Sequence, residues 1–203
     1  MGYSISWLAI RGEDVTTVHL QLGVSGTGEY EEVPESPLLG AKLPEGWYLV
    51  FANQCDYADN APLASLSRIG ELITCSVEEH CMCSSASGWN NGVPAWSVVH
   101  DSQQGLQHLD AQGDLPPVFS AVRDRLSTAQ AQRGDADYIF DVPVEVAKAI
   151  TGFRHDDCEP TVRFERLLGP SQTNFPGVPK TECDPKERIE PRSAPRKWWQ
   201  IWR

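Results

Sequence analysis

A chain of 203 residues that is 40% hydrophobic and 22% charged can bury a core without disulfide staples and is too apolar to be disordered throughout. Its net charge of -11 is uneven: residues 180–203 hold seven Lys/Arg against four Asp/Glu, and the remainder ten against twenty-four, a net -14. Such a body repels phosphate backbones, which argues against nucleic acid as the main partner, and speeds encounter with a cationic surface such as a basic protein.

The N-terminus, "MGYSISWLAIRGED", shows no basic stretch followed by an apolar run and a cleavage site, and no segment of the chain is long and apolar enough for a spanning helix. The expectation is a cytoplasmic protein with reduced thiols. Tyr3–Ile10 reads as a strand. Asp14 is an N-cap for a helix, "VTTVHLQL", that Gly23 closes. Residues 26–43, rich in Gly, Pro and Glu, read as a loop. "GWYLVFAN" (46–53) is apolar at every other position on both faces, as a strand central to a sheet would be. Asn60, Pro62 and Gly70 bracket a short helix. Residues 71–85 and 95–100 read as two strands joined by a turn containing Asn91-Gly92. Pro116 opens a helix to about Gln132, with Val118, Phe119, Val122 and Leu126 as its apolar stripe. A linker follows over 134–137, then a strand at "YIFDV". "PVEVAKAIT" is a helix that Pro143 opens and Gly152 ends, and "TVRFERLL" reads as a last, edge strand.

This order predicts a single α+β domain over residues 1–168, a mainly antiparallel sheet with a central hairpin and helices packed on one face. From Gly169 to Arg203 the chain is a Pro-rich, linker-like tail that ends in "RKWWQIWR". Trp198, Trp199 and Trp202 stand there among Arg192, Arg196, Lys197 and Arg203. Three readings fit them: docking on the acidic body, insertion in a partner's groove, or contact with an anionic membrane surface.

The hairpin "SVEEHCMCSSASGWNNGVPAWSVVHD" (76–101) carries most of the reactive side chains. If 71–85 is one continuous strand and the Asn91-Gly92 turn has two residues, Cys83 pairs with His100. Cys81, Cys83 and His100 then share a face, a donor set suited to zinc. If the loop is odd in length, His100 moves to the face of Glu78 and His80, a hard-metal or acid–base cluster beside Glu79. The competing reading makes the cysteines core filling, with Trp89 and Trp96 packed across the hairpin. Zinc knuckles separate their cysteines by two to four residues, and Cys81-x-Cys83 by one, so no cofactor is the leading expectation, with zinc the alternative.

Arg154, His155 and Asp156 follow the Gly152 cap. They complement a helix dipole, or form a polar patch that takes an anion or a partner. "GVSGTGEY" has its glycines in the wrong order for a dinucleotide fingerprint. There is no phosphate-binding loop, nucleophile elbow or H-E-x-x-H.

Three blocks, "GWYLVFANQCD", "VEEHCMCSSASGW..G...WSVVHD" and "DYIFDVPVEVAKAITGFRHD", resemble a family of bacterial soluble proteins described only as hypothetical. The resemblance spans roughly Tyr3 to Asp156. It implies a bacterial, cytoplasmic α+β domain and carries no catalytic residues across. The leading expectation is a non-enzymatic acidic protein-binding module, immunity- or antitoxin-like, that docks on a cationic partner. The alternatives are a metal-binding or hydrolytic enzyme centred on the 71–101 hairpin, and an adaptor acting through its Trp tail.

Overall fold

The computed structural model describes residues 2–133, 136–157 and 162–169. The Pro-rich tail, with Trp198, Trp199 and Trp202, lies outside them. In chain order the elements are β1 (Ser4–Arg11), α1 (Val15–Leu22), β2 (Ser25–Glu31), β3 (Leu38–Lys42), β4 (Trp47–Ala52), α2 (Tyr57–Asn60), α3 (Leu63–Ile69), β5 (Glu71–Glu78), β6 (Cys83–Asn90), β7 (Val93–Asp101), β8 (Asp110–Gly113), α4 (Val118–Arg133), α5 (Asp141–Thr151) and β9 (Phe164–Leu168). The strands form one nine-stranded sheet in the order β2-β9-β3-β4-β1-β5-β6-β7-β8. Each neighbouring pair is antiparallel. The protein is therefore an α+β fold on a mainly antiparallel sheet.

Local chemistry sets many of the boundaries. Asp14 accepts from the Thr16 and Thr17 amides and starts α1, and Gly23 ends it at φ 66. Gly152 ends α5 in the same left-handed conformation, at φ 76. Both are places where a side chain would strain the backbone.

Side chains alternate along β1 and divide the core in two. Ile5, Trp7 and Ala9 face one cluster, closed by Phe119, Val122 and Leu126 of α4 and Val142, Val144, Val146 and Ala147 of α5. Leu8 and Ile10 face the other, closed by Val18 of α1 and Leu63 and Leu66 of α3. The expected single helical layer is the one made by α4 and α5; α1 and α3 add a second on the opposite face. The reason lies in the central strands. Every residue of β4 is buried, and a strand apolar on both sides needs cover on both.

Other expectations change as well. Residues 26–43 contain β2 and β3. Almost every residue of β2 is exposed, so it is held by its pairing to β9 and not by an apolar pattern that a reader of sequence would see. The last strand is not an edge: β9 lies between β2 and β3. "YIFDV" is no strand, because α5 begins inside it at Asp141. β8 is a short strand that the sequence did not announce.

The 71–85 segment breaks in two. Residues 79–82 form a turn, so Glu78 pairs with Cys83 and β5 and β6 are themselves a hairpin. Met82 takes φ 51 to complete it. At the next turn Asn90 faces Val93 as a two-residue Asn91-Gly92 turn requires, with φ 49 and 86 at its centre. Trp89 then faces Pro94, but Gly88 faces Trp96. Ala95 is the extra residue of a β-bulge. Gly88 is needed there, since a Cβ would sit 2.1 Å from the Trp96 ring nitrogen. The bulge sends Trp96 to the α4–α5 side and leaves Trp89 on the other, so the two indoles do not pack across the hairpin.

Candidate functional site

The turn at 79–82 and the bulge at Ala95 together decide which side chains meet. Paired residues on neighbouring strands share a face. Ser4, Glu78, Cys83 and Asp101 therefore form one row across β1, β5, β6 and β7, and Ile5, Val77, Ser84 and His100 form the row behind it. Both expected clusters lose His100 on this geometry. His100 shares a face with neither Cys83 nor Glu78. Among the described residues no group of three or more His, Cys, Asp or Glu is placed to hold a metal ion.

In the front row, Glu78 is the organising anion. It accepts the Ser4 hydroxyl at 2.5 Å, the His80 amide at 3.1 Å and the His80 Nδ1–H at 2.7 Å. Burial pushes its carboxyl upward, but Ser4, His80 and the Cys55 thiol outweigh that and hold its pKa down at about 2. The His80 side chain is 67% exposed. Its Nδ1 donates to the Glu78 carboxylate, which can only accept. Ser4 and Cys55 both turn their protons toward Glu78, so neither is prepared as a nucleophile. Glu79 binds the Tyr3 amide at 2.8 Å.

A pH dependence follows from Glu78. Its folded pKa lies below the ordinary 4.5, so its stabilisation is present above that value and fades as pH falls toward about 2. Glu78→Gln is expected to cost about 1 kcal/mol at neutral pH, a value kept small because the site is half open to solvent. Urea unfolding at two pH values checks this. The gap between wild type and variant must narrow on acidification; a gap that widens contradicts the assignment.

In the back row, His100 is fully buried. Its Nδ1 lies 2.7 Å from the His108 carbonyl, which can only accept, so Nδ1 carries a hydrogen. Its Nε2 lies 2.9 Å from Asp137 Oδ2, and the Asp137 side chain is 5% exposed. One proton is thus held between Nε2 and Oδ2. Phe140 packs edge-on to the imidazole at 6.2 Å, and its amide donates to the other Asp137 oxygen at 3.2 Å. Ser84 lies in register beside His100, yet its hydroxyl donates to the Phe140 carbonyl at 2.6 Å. With both ring nitrogens engaged, Ser84 and His100 do not form a nucleophile–base pair. The arrangement ties the α4–α5 connection and the 102–109 loop to β7.

The Arg154 patch is also internally satisfied. Its guanidinium reaches Asp156 at 2.5 Å, Glu145 at 2.6 Å and Asp141 at 2.9 Å. Glu145 is shared with Arg125 at 2.8 Å. Burial opposes the charge on Arg154, but these carboxylates raise its pKa above the usual arginine value. Four of its five N–H donors are taken by three carboxylates, which leaves no paired fork for an external anion. The neighbouring His155 packs edge-on to Tyr3 at 4.8 Å, and burial lowers its pKa. Arg154 thereby clasps α5 to the segment that follows it.

Sequence reasoning missed Asp137, His108, Ser4 and Cys55. Ser4, Cys55 and Asp137 join their clusters across long stretches of chain, and His108 joins from a loop eight residues beyond His100. No family model, curated protein or solved structure matches the chain. Among the described residues, no helix is long and apolar enough to cross a membrane.

Proposed function

We propose that the protein is an acidic protein-binding module with a cationic protein partner, in the manner of an immunity or antitoxin protein. The observation that carries this reading is where the positive charge goes. Arg11, Arg123, Arg125, Lys148, Arg154 and Arg166 are each held by carboxylates of the same chain. The body holds twenty-four acids against ten basic residues, and Glu13, Glu32, Glu35 and Glu45 are among the acids that stand exposed. The exposed edge strand β2 continues into Glu32 and Glu35, with exposed Tyr30 and Val33 as apolar anchors beside them. Like fields would steer a basic surface in, and aromatic burial would hold it. Nucleic acid is disfavoured by the same charge.

The test is capture from the host followed by kinetics. A stoichiometric partner is expected whose association rate falls at least tenfold between about 20 and 200 mM salt, since screening removes steering. Glu32→Lys with Glu35→Lys is expected to slow association further at low salt. Repeated capture experiments with no stoichiometric protein would sink the reading.

One observation favours an enzyme instead. His80 is an exposed imidazole whose Nδ1 is fixed by a carboxylate, Glu78, a pairing that general bases use. That alternative places its chemistry at the β5–β6 turn and gives His80→Gln as the inactivating change. An adaptor role through Trp198, Trp199 and Trp202 is the third reading, supported by composition alone.

A further inference from the structure

We infer that Asn91 is a deamidation site that the fold holds shut, with Ser67 of α3 as the latch. Asn91 is followed by Gly92, and no other asparagine in the chain precedes a glycine. A glycine has no side chain to crowd its amide nitrogen, so that nitrogen can attack the asparagine side chain. The Gly92 nitrogen bonds to Asn91 Cγ and gives up its proton, and the side-chain nitrogen leaves as ammonia. Water then opens the five-membered imide at either carbonyl and yields aspartate or isoaspartate. Water is the only co-reactant, and no electron changes hands.

The same dipeptide builds the β6–β7 turn, and the turn opposes the reaction. Asn90 pairs with Val93, and φ 49 at Asn91 with φ 86 at Gly92 marks a type I′ turn. Such a turn sets ψ of its first central residue at about 30°. The Gly92 nitrogen then lies nearly opposite Asn91 Cβ across the Cα–C bond, whereas ring closure needs the two nearly eclipsed. Asn91 therefore reacts only after its backbone has swung out of the turn.

Ser67 holds the backbone in place. It lies in the last turn of α3, where carbonyls lack helical partners. Its carbonyl accepts the Asn91 amide at 2.9 Å, and its hydroxyl oxygen accepts the Gly92 amide at 3.0 Å. The second bond engages the nucleophile itself. Ser67 is 2% exposed, so water does not readily take its place. Arg68 completes the seat, with its Nε 2.8 Å from where a Gly92 Cβ would stand. Asn91 itself is exposed, so what protects it is the conformation and not exclusion of water. Isoaspartate would add a carbon to the backbone of a two-residue turn, and the modified turn would no longer fit the pairing of Asn90 with Val93.

The test follows conversion of Asn91 by peptide mass spectrometry, using the full chain at neutral pH. Folded wild type is expected to react about tenfold or more slowly than the guanidinium-unfolded chain. Ser67→Ala is expected to speed the folded reaction severalfold. Val146→Ala, on the buried face of α5, lowers stability without touching the turn and is expected to leave the rate at its wild-type value. Equal rates in folded and unfolded wild type, or in wild type and Ser67→Ala, overturn the proposal. An equal acceleration by Val146→Ala does so too, because it makes global unfolding the route. Hydrogen exchange in wild type reads the latch without any variant. The Gly92 amide is expected to be protected, and exchange at the unprotected rate would reject the latch. None of these readouts depends on the protein partner proposed above.

Discussion

Replacing Asp137 with alanine is expected to lower the unfolding free energy by about 3–5 kcal/mol, the range seen when one member of a buried pair is removed. His100 is fully buried and the Asp137 side chain is 5% exposed, so water is not at hand to replace the lost carboxylate. The Phe140 amide would lose its acceptor at the same time, which frees the start of α5. Urea denaturation followed by circular dichroism measures the effect. His100→Phe combined with Asp137→Leu is expected to cost less than Asp137→Ala, because it removes the polar demand together with its partner. A double variant that is worse than the single one would show that shape, and not the shared proton, governs this corner.

Arg154→Leu is expected to cost about 2–4 kcal/mol at neutral pH. It leaves Asp141, Glu145 and Asp156 together with Arg125 as the only cation that bonds any of them among the described residues. Burial raises the Glu145 and Asp156 carboxyls, but Arg154, joined by Arg125 at Glu145 and His155 at Asp156, more than offsets it and holds both below their ordinary values. Carboxylates depressed in the folded state stabilise it above their unfolded pKa and stop doing so as pH falls through the folded value. Wild type therefore loses this contribution in acid, while protonation relieves repulsion in the variant. The two unfolding curves must converge as pH drops from about 6 toward 3. Curves that stay parallel would mean that Arg154 acts through packing alone.

The legible parts of this fold were those written in neighbouring residues. Asp14 and Gly23 mark both ends of α1, the unbroken apolar run of β4 marks a central strand, and Asn91-Gly92 marks its turn. The parts that decide the site are non-local or silent. The 79–82 turn contains neither glycine nor proline, and puts Met82 in a left-handed conformation that its side chain does not advertise. The bulge at Ala95 is a single inserted residue, and it reverses which face every later β7 side chain meets. Those two events moved His100 away from Cys83 and Glu78. Asp137 looked like a linker residue because its partner is 37 positions away. The strand at β2 hid for a related reason: its exposed Gly, Thr and Glu side chains carry no periodicity, and its stability comes from β9.

The position of β9 has a consequence for how the chain is made. Among the described residues β2 finds its sheet neighbour only in β9, and Thr27 bonds Arg166 across 139 residues. While the protein is being synthesised, β3 is already paired to β4 on one side but waits with its other edge open, and β2 has nothing to join. Closing so long a loop costs entropy before any contact repays it. A nascent or truncated chain that stops short of Phe164 thus presents an unguarded strand edge to its neighbours, and that interval is when aggregation competes hardest with folding.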